Sequence, residues 1–420
     1  MAAPRTVLLT STSWWAFTAR MAMRFAALGW RVEAVCPPGH PLRKTGAVDR
    51  VHDYPALRPL AALQAAIAST RPDFIVPCDD RSVMHLHDLH ARLRKSATSP
   101  AHEAAALIAH SLGRVDSFPI TERRSDLIRV AREEGLSAPE TRVVESEAAL
   151  HEALEELGLP AVLKVDGSWG GLSTVVVSTA AQAEQARRLL ARPLNAIRAI
   201  KRLLCDRDPY HLLPWLAGSV PRVNVQAYVP GRPANTIAAC WNGEVLACIH
   251  AEVLSSHRTI GPSTVVRVID HPEMARTTER LTRRLGLSGF YGFDFMLNDA
   301  TGSAHLIEMN PRSTPLCHFA LGAGSDPIAA LTARLSGTPL PMTAPVTGNP
   351  VIAFFPQAWL SDPESNFLRS GYHDVPWEDP ALVKELLRQP YPDRGLLARL
   401  LVHLRRGRTK FPELASVPIE

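Results

Sequence analysis

Two short segments of alternating character, Phe293-Asp294-Phe295 and Ile307-Glu308-Met309-Asn310, flank the turn residues Asn298-Asp299-Ala300-Thr301-Gly302-Ser303, and this pairing constrains the fold more than any other part of the chain. Successive side chains of a strand point to opposite faces. Glu308 and Asn310 therefore share one face, while Ile307 and Met309 share the other. A hairpin folded about a turn centred near residue 301 sets Asp294 opposite Glu308, and directly opposed residues lie on the same face. Met296 and Leu306 are expected beside the acids, which argues against a fully solvated surface. Two carboxylates and an amide oxygen then converge. Like charges opposed in a sheet cost free energy unless a cation joins them. An all-oxygen donor set suits a hard ion such as Mg²⁺ that keeps waters and shares ligands with substrate phosphates. Arg312, two residues beyond Asn310, adds a planar donor fork on the same side if the strand continues. The competing reading is a polar face on a half-buried hairpin.

A second motif is the run Ala161-Val162-Leu163-Lys164-Val165, followed by Gly167, Gly170 and Gly171 and then by the apolar run from Thr174 to Val177. It reads as strand, glycine-rich turn, strand. Glycines let backbone amides approach phosphate oxygens, and Lys164 on the entering strand supplies a compact cation. Taken alone the motif is weak, because any β-hairpin can carry glycines.

The chain opens with a short apolar run at 6–9, helical apolar spacing over 14–28 ended by Gly29, and another apolar run at 32–35. This is a β-α-β start. Phe74 to Val76, ending in Pro77-Cys78-Asp79-Asp80 before a helical stretch, continues the alternation of a parallel sheet covered by helices. The cluster Ser11-Thr12-Ser13 either caps the following helix or lines a ligand site at the strand's carboxyl end. No G-x-G-x-x-G follows the first strand, so nicotinamide binding is disfavoured. Beyond residue 123, strands and helices mix without strict alternation, with runs at 223–229, 236–240 and 245–249 and a helix over 272–285.

Composition removes several classes. A net charge of +5 over 420 residues is too small to mark a nucleic-acid partner. No stretch approaches the roughly 18 consecutive apolar residues that span a bilayer, and no signal peptide is evident. Six scattered cysteines without a CxxC pair indicate neither a disulfide framework nor structural zinc, so the expected compartment is the cytoplasm.

With these motifs in place the chain resembles the ATP-grasp family over about residues 116–335. The residues that carry the resemblance are the 161–164 run leading into Gly170-Gly171, the segment Val225-Gln226-Ala227-Tyr228-Val229-Pro230-Gly231, and Asp294 with Glu308-Met309-Asn310-Pro311-Arg312. The resemblance implies an α/β and α+β chain. An N-terminal doubly wound, Rossmann-like domain (1–115) precedes a two-subdomain ATP-grasp module (116–340) and a small C-terminal extension (341–420). It further implies ATP between the subdomains, with Lys164, Gly170 and Gly171 at the phosphates and Gln226, Ala227 and Val229 at the adenine. Two Mg²⁺ ions, replaceable by Mn²⁺, are implied on Asp294, Glu308 and Asn310. Arg124 stands where the family commonly has a lysine, keeping the charge with a different geometry. Pro233 stands where several members place a ribose-binding acid.

The implied reaction is ATP-dependent ligation of a small-molecule carboxylate to an amine or thiol through an acylphosphate, with Arg312 stabilising the transition state. The rivals are a bicarbonate-using enzyme, for which the loop Ser168-Trp169-Gly170-Gly171 distantly resembles carbamoyl-phosphate synthetase and biotin carboxylase, a small-molecule kinase, and a non-catalytic nucleotide binder. The segment His250-Ala251-Glu252 and the loop at 255–262 are expected either to close over substrate or to form a plain surface loop. No chemistry attaches to the C-terminal residues, including His373-Asp374-Val375-Pro376-Trp377.

Overall fold

The structure, a computed structural model, describes residues 4–166, 174–192, 221–257, 261–341 and 343–388. They form two compact units, one from Met1–Ala138 with Pro230–Arg388 and one built on Pro139–Val229.

The first unit begins with a parallel four-stranded sheet. Its strands β1 (Thr6–Thr10), β2 (Arg31–Cys36), β3 (Arg50–Asp53) and β4 (Phe74–Pro77) lie in the order β3-β2-β1-β4. The inner strand β1 and its neighbour β4 read as apolar runs because both faces are covered, whereas the edge strand β3 is polar and partly exposed. Leu8, Val35 and Ile75 pack under α2 (Pro59–Thr70), α3 (Asp80–Leu93) and α4 (Ser99–Leu112), in a core that includes Leu63, Leu86 and Ile108. On the other face Val7, Leu9, Ala34 and Val76 join Met21 and Phe25 of α1 (Phe17–Ala27).

That second core continues into a seven-stranded sheet through Ile237, Ile249, Val266 and Phe290. The sheet contains β9 (Arg232–Trp241), β10 (Glu244–Ser256), β11 (Ser263–Ile269), β12 (Gly289–Leu297), β13 (Ala304–Asn310), β14 (Val351–Ala353) and β15 (Tyr372–His373), ordered β13-β12-β9-β10-β11-β14-β15. Its far face packs on α6 (Arg124–Glu133) and α9 (Pro272–Leu285) through Leu127, Ile128, Met274, Leu281 and Leu285. The helix expected over 272–285 is α9, started by Pro272 and ended at Gly286 in the left-handed region.

The end of α4 is fastened to the seven-stranded sheet by backbone. Gly113 bridges Leu287, the Arg114 amide donates to the Gly286 carbonyl at 3.0 Å, and the Tyr291 hydroxyl donates to the Leu112 carbonyl at 2.7 Å. Gly113 has φ +96°, and a Cβ there would run into the Gly286 carbonyl oxygen and lie 2.7 Å from the Ser288 nitrogen.

Residues 351–388 complete this unit. β14 pairs with β11, and β15 pairs with β14. Just beyond β15 the buried Asp374 carboxylate accepts from His318 Nε2 at 2.8 Å and from Arg20 Nη2 of α1 at 2.9 Å. Burial alone would raise the Asp374 carboxyl, but His318 and Arg20 outweigh it and hold the group below its ordinary value. Burial lowers His318 despite the nearby carboxylate, so the imidazole is neutral.

The second unit holds an antiparallel sheet in the order β5-β8-β6-β7, formed by β5 (Thr141–Val143), β6 (Ala161–Val165), β7 (Thr174–Val177) and β8 (Val223–Ala227). Helices α7 (Glu147–Leu157) and α8 (Ala180–Leu190) cover one face through Leu150, Leu154, Leu163, Val177, Ala183 and Val225. Among the described residues no helix is long and apolar enough to cross a membrane.

Three substitutions test these contacts. Gly113→Ala is expected to cost at least about 2 kcal/mol in denaturant unfolding, because positive φ and a backbone clash coincide. Gly29→Ala, also at positive φ but with nothing within 4 Å, is expected to cost about 1 kcal/mol. Removing Asp374 leaves Arg20 without its buried partner, so Asp374→Asn is expected to cost about 3 kcal/mol at pH 7. Both lowered groups bind protons more readily unfolded, so wild-type stability falls as pH drops below about 6.5 and again through the carboxylate range. The gap between variant and wild type should close below about pH 4; a gap independent of pH would contradict the ionised pairing.

Candidate active site

The hairpin β12–β13 pairs Gly292 with Asn310, Phe293 with Met309 and Asp294 with Glu308, the register its turn predicts. The next pair is Phe295 with Leu306, which leaves Ile307 as an extra residue on β13. This bulge overturns one expectation. Below it the alternation on β13 is reversed, so Leu306 is buried with Phe293, Phe295 and Met309 in the core on the opposite face from the acids.

Arginines meet the opposed acids. Arg124 Nη2, at the start of α6, donates to Glu308 Oε1 at 2.7 Å. Asn310 Nδ2 donates to Asp294 Oδ2 at 2.9 Å, and Asn310 Oδ1 accepts from Arg312 Nη2 at 3.1 Å. Arg312 is buried; its Nε donates to Asp80 Oδ2 at 2.7 Å and its Nη1 to the Ser313 carbonyl at 3.3 Å. The Trp15 ring lies 6.0 Å from the guanidinium carbon. Burial opposes the charge on Arg312, but Asp80 outweighs it, with Asp294 and Asp79 adding, so its pKa is raised. Gly292 gives the chain room to turn here, since a Cβ would lie 2.6 Å from Thr314 Cγ2.

Asp79 and Asp80 escaped the motif reading. Asp79 caps α3 in a reciprocal box with Ser82, and its carboxylate also accepts from Ser11 Oγ at 2.9 Å, Thr12 Oγ1 at 2.9 Å and the backbone amides of Thr12 and Ser13. The Ser11–Ser13 cluster therefore wraps an internal carboxylate. It does not cap α1, whose N-cap is Ala16 without a side-chain bond. His40 Nδ1 accepts from the Leu42 amide, which leaves the proton on Nε2 to donate to the Ser13 carbonyl at 2.9 Å. Burial lowers His40 to about 4, so this neutral form persists. Since Asp79 fixes the helix start and Asp80 is the first helical residue, the loop after β1 indirectly sets the anchor of Arg312.

In the second unit, Lys164 is buried on β6 and donates from Nζ to Gln226 Oε1 at 2.8 Å, while Gln226 Nε2 donates to Thr141 Oγ1 at 3.0 Å. Asn224 Nδ2 donates to Asp166 Oδ1 at 2.8 Å. By register these groups share the sheet face opposite the one under α7 and α8. The Ala227 amide is already used by the Glu140 carbonyl, so any ligand contact there falls to other groups. Val229 lies half-buried just past β8. Gly170 and Gly171 lie outside the described residues.

His250 and Glu252 do not join the acids. Their register partners Thr236 and Ala234 carry them to the face shared with Phe293 and Phe295. His250 Nδ1 lies 2.7 Å from Thr236 Oγ1 and the imidazole is lowered to about 4 by burial; Glu252 is paired with Arg232 and Arg267.

Whether the hairpin suits a metal can be judged from its donors. Asp294 and Glu308 are opposed, half-buried and accompanied by an amide, which fits a hard cation that takes further oxygens from solvent or ligand. Among the described residues no group of three or more His, Cys, Asp or Glu side chains is placed to hold a metal, so this set depends on Asn310 and on ligand oxygens.

Comparison with known proteins follows the same residues. The model of an ATP-grasp domain matches residues 216–315. The carbamoyl phosphate synthase large chain of Neisseria gonorrhoeae is 24% identical over 240 residues, covering 56% of this chain and 21% of that protein. The chain thus spans about a fifth of the curated relatives it matches. Among solved structures, an ADP complex of N5-carboxyaminoimidazole ribonucleotide synthetase superposes with a TM-score of 0.58 at 16% identity, covering 84% of this chain and 81% of that one. An L-amino acid ligase from Bacillus licheniformis gives 0.53 at 13% identity, covering 80% and 75%.

The carboxylate knot yields a further prediction. Asp79→Ala orphans buried donors and removes a helix cap together, for an expected loss of about 3 kcal/mol. Hydrogen exchange should accelerate at the Thr12, Ser13 and Ser82 amides. Unchanged protection at these three sites would contradict the role given to Asp79.

Proposed function

Because this chain carries an ATP-grasp domain, we propose that it is an ATP-dependent ligase that joins a carboxylate to an amine or thiol. The carboxylate oxygen attacks the γ-phosphoryl group of ATP, releasing ADP and leaving an acylphosphate. The amine or thiol then attacks the acyl carbon and expels phosphate. The observation that carries this reading is the register-fixed pair Asp294 and Glu308, with Asn310 and the buried Arg312 beside them.

Phosphoryl transfer needs positioning and charge neutralisation more than covalent help from protein. Arg312 has five N–H donors, of which three have acceptors in the protein. The other two are available to charge that develops on the phosphoryl group and then on the tetrahedral oxyanion. Lys164 serves the nucleotide phosphates, and Gln226, Ala227 and Val229 its base. Mg²⁺, as two ions replaceable by Mn²⁺, is held by Asp294, Glu308 and Asn310 and supplies charge neutralisation. The protein acts on small molecules in the cytoplasm. The likeness to carbamoyl phosphate synthase favours bicarbonate as a second candidate for the acid.

The test is phosphate release from Mg-ATP with pooled amino acids, other carboxylates or bicarbonate, followed by product mass. Release of ADP and phosphate with a condensed product supports the ligase, and release that depends on bicarbonate selects the second acid. A phosphorylated end product would indicate a kinase, and nucleotide binding without turnover would sink the enzymatic reading. Glu308→Ala is expected to lower turnover by at least about a hundredfold, and Lys164→Ala to raise the KM for ATP about tenfold.

A further inference from the structure

Arg124 sits where a cation gains least from its own helix. It is the first residue of α6, and the amino end of a helix disfavours positive charge. The neighbouring Arg123 is exposed and lies 3.7 Å from Asp126, the acid of that first turn. Arg124 instead reaches out of the helix to Glu308, 184 residues away, and both side chains are largely shielded at 12% and 23% exposure. The backbone of α6 is held in place, since Leu127, Ile128, Val130 and Ala131 are buried in the core beneath the hairpin. The Arg124 side chain can therefore leave Glu308 without moving the helix.

A carboxylate oxygen engaged by a guanidinium is less available as a metal ligand, and Glu308 Oε1 is so engaged by Arg124. We infer that Arg124 is a resident counter-ion of Glu308 that a divalent cation must displace, so that the metal binds weakly by itself and its arrival frees a guanidinium. Linkage is reciprocal: what weakens the metal is itself loosened by the metal. The displaced guanidinium stays beside the carboxylates, where an anionic ligand can meet it. Metal and anion are then favoured together and each is disfavoured alone.

This inference rests on the reading of Glu308 as a metal ligand, and its test keeps the two apart. Mn²⁺ is titrated into nucleotide-free protein and free ion is read by electron paramagnetic resonance, with circular dichroism confirming that each variant is folded. Arg124→Gln should bind Mn²⁺ about tenfold more tightly than wild type, within the usual range for coupled ligands. Arg124→Lys keeps the charge and should stay within about threefold of wild type on the same scale. Combining Arg124→Gln with Glu308→Gln should erase the gain. If Arg124→Gln binds Mn²⁺ no more tightly than wild type while Glu308→Gln weakens binding, the metal ligand stands and the counter-ion role is overturned. If no variant binds Mn²⁺ up to the millimolar range, Glu308 is not a metal ligand and both fall, while ATP turnover still decides the ligase.

Discussion

The opposition of Asp294 and Glu308 across one hairpin is the constraint on which the rest of the site depends. Two carboxylates about 5 Å apart repel by about 3 kcal/mol at an effective dielectric of 20, a sizeable fraction of a domain's net stability. The chain meets this locally with two guanidinium groups that come from different places. Arg124 arrives from α6 on the covered side of the sheet, and Arg312 from the segment that leaves β13. Arg312 is itself buried and needs a counter-charge, which Asp80 supplies from the end of the first sheet. A short hairpin thus depends on Arg124, 184 positions from Glu308, and on Asp80, 232 positions from Arg312.

This accounts for the use made of the first sheet. The carboxyl ends of parallel strands are the usual place for a ligand, yet here the donors after β1 close on Asp79 of the chain itself. The knot holds the start of α3 and so fixes Asp80. The first sheet thereby serves the acids as a support, through a single charged contact of 2.7 Å. In the same unit, Asp374 ties the segment after β15 to α1 and to His318, six residues beyond Arg312. A segment in which no chemistry could be read is therefore attached to the elements around the site, while its contribution remains one of packing and buried charge.

Where the sequence was legible, local rules sufficed. Turn position and strand alternation together placed Asp294 against Glu308, and the helix expected over 272–285 has those bounds as α9. Leu306 was misplaced because nothing in the order of residues marks a bulge at Ile307. The Ser11–Ser13 cluster misled because short hydroxyl residues serve caps and carboxylates equally well, and its partner lies 66 to 68 residues away. The Asp79-Asp80 pair did carry a signal, as two adjacent acids after a buried strand and at a helix start. Only the fold reveals that one acid faces the first loop and the other faces Arg312. His250 shows the same limit, since the sheet face it occupies depends on pairings with β9 that its own segment does not encode.

The division of labour between arginine and lysine then becomes intelligible. Only six of the 46 basic residues are lysine, and charge alone does not explain which positions kept it. Arg312 must satisfy three acceptors in fixed directions, through Nε to Asp80, Nη1 to the Ser313 carbonyl and Nη2 to Asn310. A single ammonium cannot reach all three. At Arg124 a planar, weakly hydrated fork can engage a partly buried carboxylate at smaller desolvation cost than an ammonium. Lys164 faces a different demand, since it stands on a strand opposite Asn224 and meets the Gln226 oxygen diagonally on the same face. There a compact point charge fits where a fork would need to be turned aside. At these positions the choice between arginine and lysine accordingly follows the shape of the acceptor: the guanidinium braces three fixed acceptors at 312, and the ammonium at 164 is directed at the Gln226 oxygen.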